Sequence, residues 1–420
     1  MSSEPSLAEK IKKYSVGFFK WLLAGLIIGA VGGLVGALFH MSVEAVTELR
    51  LENEWLIWLL PLGGLVIAGL YTVSHVSLDT NIVIHAVQER EMISPLMAPL
   101  IFITSTVSHL FGASVGREGA ALQIGGSIGC TYGRIARLDE ADMHIVVMAG
   151  MSAVFAAVFG TPVTAVFFSL EVAAVGIMYY AGLLPCLTAA LTASGIARAF
   201  GLSSFDFHLA AVPALDIASA CQTAALGLGC AALGMLFCAA LEGFAKSAGR
   251  LVKNPYLRIF AGGLLIALAT AAVGTRDYNG AGTEIIYAAV AGSARPWAFV
   301  LKLIFTVICV GVGYKGGEIV PTLFIGACFG CTVGPLLGMD AGFAAALCMV
   351  GLFCAMVNCP IASIVLSIEL FGAQALPLFA IVCVLSYMLS GSFSLYRQQR
   401  VVYSKVKATL FPGTKNKSSE

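Results

Sequence analysis

The chain has 420 residues, of which 59% are hydrophobic and only 11% charged, with a mean hydropathy of +0.92. A soluble domain carries about 25% charge, so this composition cannot cover a globule with polar surface, and the chain is read as an integral membrane protein. A net charge of +1 without any basic stripe argues against nucleic acid as a partner; the partner that composition demands is a lipid bilayer.

Residues 1–15 form a short polar, basic lead containing Glu4, Glu9, Lys10, Lys12 and Lys13. No signal peptide is expected, because the first apolar run is long enough to stay as a span. Apolar runs follow near 16–39, 55–74, 95–113, 143–170 and 174–200. After a polar, Pro-containing stretch they resume near 211–242, 259–274, 298–312, 319–338, 342–357 and 360–394. Several are too long for one span of about 20 residues, and others are cut by Gly or Pro into pieces too short to cross. The expected architecture is all-α, with many tilted and partial helices, ending in a polar tail at 401–420.

Basic residues set the expected topology. Lys10, Lys12, Lys13 and Lys20 flank the first span, and Arg397, Arg400, Lys405 and Lys407 follow the last. Both termini are therefore expected in the cytoplasm, as is the basic loop Lys246 to Arg258, with the acidic stretch 44–54 outside. The twelve Cys are scattered through apolar segments. The lone pair Cys328 and Cys331 has no second pair or neighbouring His, so no metal site and no cofactor is expected.

The two halves of the chain resemble one another. Gly116-Arg117-Glu118-Gly119 followed by Pro162 to Glu171 is matched by Tyr314-Lys315-Gly316-Gly317-Glu318 followed by Pro360 to Glu369. Arg117 to Lys315, Pro162 to Pro360 and Glu171 to Glu369 are all steps of 198. The expected organisation is a repeat over 16–205 and a second over 206–400. With both ends on one side, two repeats of odd span number would be inverted relative to one another. At a step of 198, Glu118 faces Gly316 and Glu318 faces Ala120, so the two acids are not repeat mates.

An anion crossing a membrane needs compensation without a permanent trap, and helix N-termini supply it through free backbone N–H groups and a partial positive dipole. Glycines let that backbone approach the ion. The breaks at Gly116 to Gly119, at Gly316 to Pro321 and at Ser77 to Asn81 all suit this purpose, and Thr80 and Asn81 add a hydroxyl and an amide donor. Glu118 can occupy the anion's position when ionised and leave it when protonated. The plainer alternative for Glu118 is a pair with Arg117; for Asn81, a helix cap; for Tyr396, an interfacial ring; for Glu171 and Glu369, structural helix-end contacts.

Gly116-Arg117-Glu118-Gly119 resembles the GREGP motif of the CLC family of anion channels and proton-coupled exchangers, with Ala120 in place of Pro. Gly316 to Pro321 resembles its GGxFxP motif, and Tyr396 stands where the family keeps a Tyr. The resemblance covers about 15–400. It implies a CLC-type inverted-repeat architecture, a homodimer with one pore per subunit in the cell membrane, and here no CBS domains. By resemblance Glu118 is the gating glutamate that carries the proton. Gly116, Gly119, Gly317, Ile319, Val320 and Tyr396, with Thr80 and Asn81, would bind the anion.

Glu318 resembles the acid of the fluoride-transporting clade, and Asp79 to Val83 lies nearer that clade's GNNLI than the chloride-type GSGIP. Val320, Ile82 and Ile285 depart from the clade, which favours Thr at the first and Phe rings around its anion. Val172 after Glu171 departs from the proton-coupled chloride exchangers, which place a second Glu there. The expected function is export of fluoride in exchange for protons, with a chloride channel or chloride/proton exchanger as the alternative. An intramembrane hydrolase built on Gly150-Met151-Ser152-Ala153 lacks a closing Gly and a His partner, so no enzyme is expected.

Overall fold

In hydrocarbon every backbone N–H and C=O must find an internal partner, which leaves this chain helices. The computed structural model describes residues 6–76, 82–89, 92–202, 205, 207–396 and 399–407, and among these it forms sixteen α-helices, eight in each half. The first half runs α1 (Leu7–Glu52), α2 (Leu60–Ser74), α3 (Ile82–Glu89), α4 (Met97–Leu110), α5 (Glu118–Ile135), α6 (Glu140–Phe159), α7 (Pro162–Glu171) and α8 (Leu183–Ala199). The second runs α9 (Ile217–Leu251), α10 (Pro255–Val273), α11 (Thr283–Val290), α12 (Ala298–Val312), α13 (Ile319–Val333), α14 (Ala341–Val357), α15 (Pro360–Phe371) and α16 (Leu376–Leu389). Seven helical stretches are long and apolar enough to cross a membrane; the others are shorter pieces. The expected mixture of full and partial helices is what forms.

The repeat register is not uniform. Ile82 to Thr283 at the starts of α3 and α11, Met97 to Ala298 at those of α4 and α12, and Glu118 to Ile319 at those of α5 and α13 are steps of 201. Asp139 and Asp340, whose carboxylates cap α6 and α14 by accepting from Asp142 N and Phe343 N at 2.8 Å each, keep that step. At the other ends of the same helices, Gly160 and Asn358, both left-handed, are 198 apart, because α6 has 20 residues and α14 has 17. The three residues are lost within the helix. Three is close to one 3.6-residue turn, so α14 is shortened while its buried face stays aligned. The step of 198 therefore holds for α7 and α15 and fails at the glycine breaks, where the expected match of Arg117 with Lys315 is replaced by Arg117 with Glu318.

Two carboxylates tie the halves together. Glu369, near the end of α15, accepts from Val163 N and Thr164 N at 2.9 and 2.7 Å, in the first turn of α7. Glu171, the last residue of α7, accepts from Ile361 N and Ala362 N at 3.3 and 3.0 Å, in the first turn of α15. Each helix caps the start of the other, so the two run antiparallel and the operation relating the halves reverses chain direction. The plainer reading of both glutamates, as structural helix-end groups, is the one the geometry supports.

Helices cross at backbone distance around the centre. A Cβ on Gly125 of α5 would stand 2.2 Å from the Gly150 carbonyl oxygen of α6. One on Gly326 of α13 would stand 2.4 Å from the Cys348 oxygen of α14. Without a hydrophobic drive between helices, such close van der Waals contact is the main source of packing energy in a bilayer. The chain end returns to this core. Strand β1 (Ala174–Val175) pairs in parallel with β2 (Arg400–Val401), and Gln399 Nε2 donates to the Val172 and Val357 oxygens at 2.9 and 2.8 Å.

Candidate anion and proton site

The N-termini of α5 and α13 meet head to head. Gly116 N donates to Gly317 O at 2.6 Å, and Gly317 N donates to Gly116 O at 2.5 Å, an isolated antiparallel bridge. Gly116 and Gly317 are themselves a step of 201 apart, so the mutual pair of bonds lies on the axis relating the halves. The approach requires glycine. A Cβ on Gly317 would meet Gly119 N at 2.3 Å, and one on Gly119 would meet Gly317 Cα at 2.8 Å.

Arg117 and Glu318 occupy the N-cap positions of α5 and α13, and neither caps its helix with its side chain. Helix geometry then leaves the first-turn N–H groups of Glu118, Gly119 and Ala120, and of Ile319 and Val320, without intrahelical acceptors. Two partial positive ends converge on one place, a ready setting for negative charge. Ile319 and Val320 are buried, and the Glu318 carbonyl accepts from Thr322 N at 3.0 Å and Thr322 Oγ1 at 2.8 Å.

Glu118 is completely buried and folds back on its own helix start. Its Oε2 accepts from Arg117 N at 3.1 Å, while Oε1 sits 3.7 Å from Arg117 Nε without a hydrogen-bond partner. The carboxylate thus faces the Arg117 side chain and at the same time takes the amide N–H at the helix start. The Glu318 carboxylate reaches across to α5, 3.7 Å from where a Gly119 Cβ would be. Both acids therefore border the junction, although they occupy different repeat positions.

Tyr396 is buried within electrostatic reach of Glu318 and Glu118, and its hydroxyl has no hydrogen-bond partner. An unmade hydrogen bond at a buried group costs about 1–3 kcal/mol, so the Tyr396 hydroxyl fits an acceptor that the protein itself does not provide. The Tyr396 ring lies 6.4 Å from that of Phe168, which stands 5.8 Å from Phe353 and 5.4 Å from Phe155. Sequence reasoning missed this aromatic wall, because Phe in an apolar helix gives no signal of its own. It also missed Gln399, whose side chain joins the segment after Tyr396 to α14. Thr80 and Asn81 lie outside the described residues.

Arg117 connects the junction to a cavity of about 980 Å³ between the end of α1, the end of α10 and the start of α11. Arg50, His109, Asn279 and Ile285 also line it.

The family model described as Voltage gated chloride channel matches residues 79–391. A chloride/fluoride channel protein from Pseudomonas syringae pv. tomato is 38% identical over 92% of this chain and 87% of its own length. An H(+)/Cl(-) exchange transporter ClcA from Vibrio campbellii is 26% identical over 84% of this chain and 82% of its own. Among solved structures, a CLC-type fluoride/proton antiporter superposes with a TM-score of 0.88 at 33% identity, covering 91% of this chain and 98% of that one.

Proposed function

Because the chain belongs to the voltage gated chloride channel family, the CLC proteins, we propose that it is a transporter that expels fluoride in exchange for protons. The observation that carries this reading is the junction of two helix N-termini bordered by two carboxylates, one of which already holds the Arg117 N–H at the start of α5. Ionised Glu118 occupies that donor. Once protonated it is a poorer acceptor, swings away and yields the amides to an anion, so proton and anion compete for one position. Glu318, beside Gly119, relays the proton or positions Glu118, and Tyr396 donates to the anion from the other end.

Fluoride is favoured by Glu318, where chloride-type members usually carry an apolar residue, and by the likeness to a fluoride/proton antiporter. Chloride stays the second reading because Val320 and Ile285 depart from the fluoride pattern. The working unit is a homodimer in the cell membrane with both termini cytoplasmic, each subunit built of repeats 16–205 and 206–400 with its own pathway. The basic ends support the placement of the termini, and the reciprocal capping of α7 and α15 supports the two repeats. The test is the purified chain in lipid vesicles with fluoride, chloride and pH electrodes. Fluoride efflux with opposed proton movement is expected; chloride efflux as fast as fluoride would overturn the fluoride assignment.

A further inference from the structure

We propose that the deep end of the 980 Å³ cavity is a binding site for a small inorganic anion, built on the Arg50 guanidinium, which delivers the ion to the Glu118 junction. This rests on the transport reading above and adds to it a second station made of other residues.

Arg50 is 6% exposed, its Nε has no hydrogen-bond partner, and among the described residues no carboxylate forms an ion pair with it. An arginine stays charged at any physiological pH, and a buried charge without a counter-charge is strongly unfavourable. Its surroundings offer further basic side chains and, among the described residues, no buried acid of its own. A Cβ on Gly280 would stand 2.8 Å from Arg50 Nη2, and the carbonyl of the same Gly280 accepts from Lys302 Nζ at 2.6 Å. Lys302, on α12, is completely buried and meets the Phe324 ring face 5.1 Å away. Arg117 lines the same cavity.

His109 supplies no counter-charge. Its Nδ1 lies 2.8 Å from the Ser105 carbonyl oxygen, which can only accept, so Nδ1 carries the hydrogen and the unpartnered Nε2 of the neutral ring does not. The acids around the cavity stand at its rim. Glu44, Glu48, Glu54 and Glu284 are exposed, Glu54 is held by Arg276 at 2.8 Å, and Asp277 by Arg295 at 3.8 Å. Exposed charges are screened by water and salt, whereas buried ones act at low dielectric. The deep end therefore holds the Arg50 charge without a partner acid among the described residues, and Arg117, which faces Glu118 at 3.7 Å, links it to the junction.

The experiment measures fluoride flux against fluoride concentration for the full chain in vesicles, with chloride run in parallel. Arg50→Gln is expected to raise KM by about tenfold, the size of one charge-assisted hydrogen bond, with maximal turnover kept and partial rescue by Arg50→Lys. Ala281→Asp covers the case in which Arg50→Gln does not fold. It leaves Arg50 in place, adds a carboxylate to the cavity lining beside Gly280, and is expected to raise KM likewise. Unchanged KM in the folded variants, or lost turnover at constant KM, overturns the site. A wild-type chain that moves neither anion defeats the transport reading itself.

Discussion

With one oxygen the Glu118 carboxylate accepts the Arg117 N–H, and with the other it faces Arg117 Nε without a hydrogen bond. A neutral amide in that position can neither bind nor release a proton, yet it keeps the size and shape of the acid. Glu118→Gln is therefore expected to abolish proton movement driven by a fluoride gradient, read by a pH electrode on reconstituted vesicles. Coupling at the wild-type rate would remove Glu118 from its role. Glu118 and Glu318 are legible in sequence because an ionisable residue beside glycine in an apolar run is expensive and rare. Arg50 is not legible, because a single base at the end of a long helix reads as a solvated flank. Only the fold buries it behind Gly112 and Gly280.

At the scale of elements, α7 and α15 depend on each other's last turns. Removing the Glu369 carboxylate leaves Val163 N and Thr164 N without acceptors, a loss of about 1–3 kcal/mol. Glu369→Ala should lower the thermal unfolding midpoint in detergent, and Glu171→Ala should do so to a similar extent, since it deprives Ile361 N and Ala362 N in the same way. Proton coupling of the folded fraction is expected to persist; a loss of coupling without a change in midpoint would put these glutamates in the ion path instead. The sequence displays the repeated Pro and Glu at the two ends of each helix, but not whose amides the carboxylates hold. Nor does it display the step of 201. At 198 the two motifs align through Arg117 with Lys315 and Gly119 with Gly317, and the three residues that restore the true register vanish inside α14, where one apolar residue replaces another without trace.

For the molecule as a whole, reversal of direction between the halves fixes where each connection must lie. The chain starts among basic residues, and α1 carries it to the acidic stretch around Glu44 and Glu48. A first half with an odd number of crossings ends on the side opposite its start, so the connection between α8 and α9 is expected to share a side with residues 44–54. The basic segment from Lys246 to Arg258 is then expected on the side of the termini. A protease site inserted at 210–214 is expected to be cut from outside intact cells, while tags at residues 1 and 420 are cut only after the cells are opened. Cleavage of all three from one side would show that the halves are parallel rather than inverted.

The mutual bonds between Gly116 and Gly317 have a mechanical consequence. The two peptides are stitched together where the halves meet by two short hydrogen bonds. Such a stitch makes this spot the natural fulcrum for any rocking of one half against the other. What can move at a fulcrum is a side chain. In the proposed mechanism, access to the ion would then change by the swing of a carboxylate and a phenol within a still frame, and two opposed particles would pass through a machine whose bearing never turns.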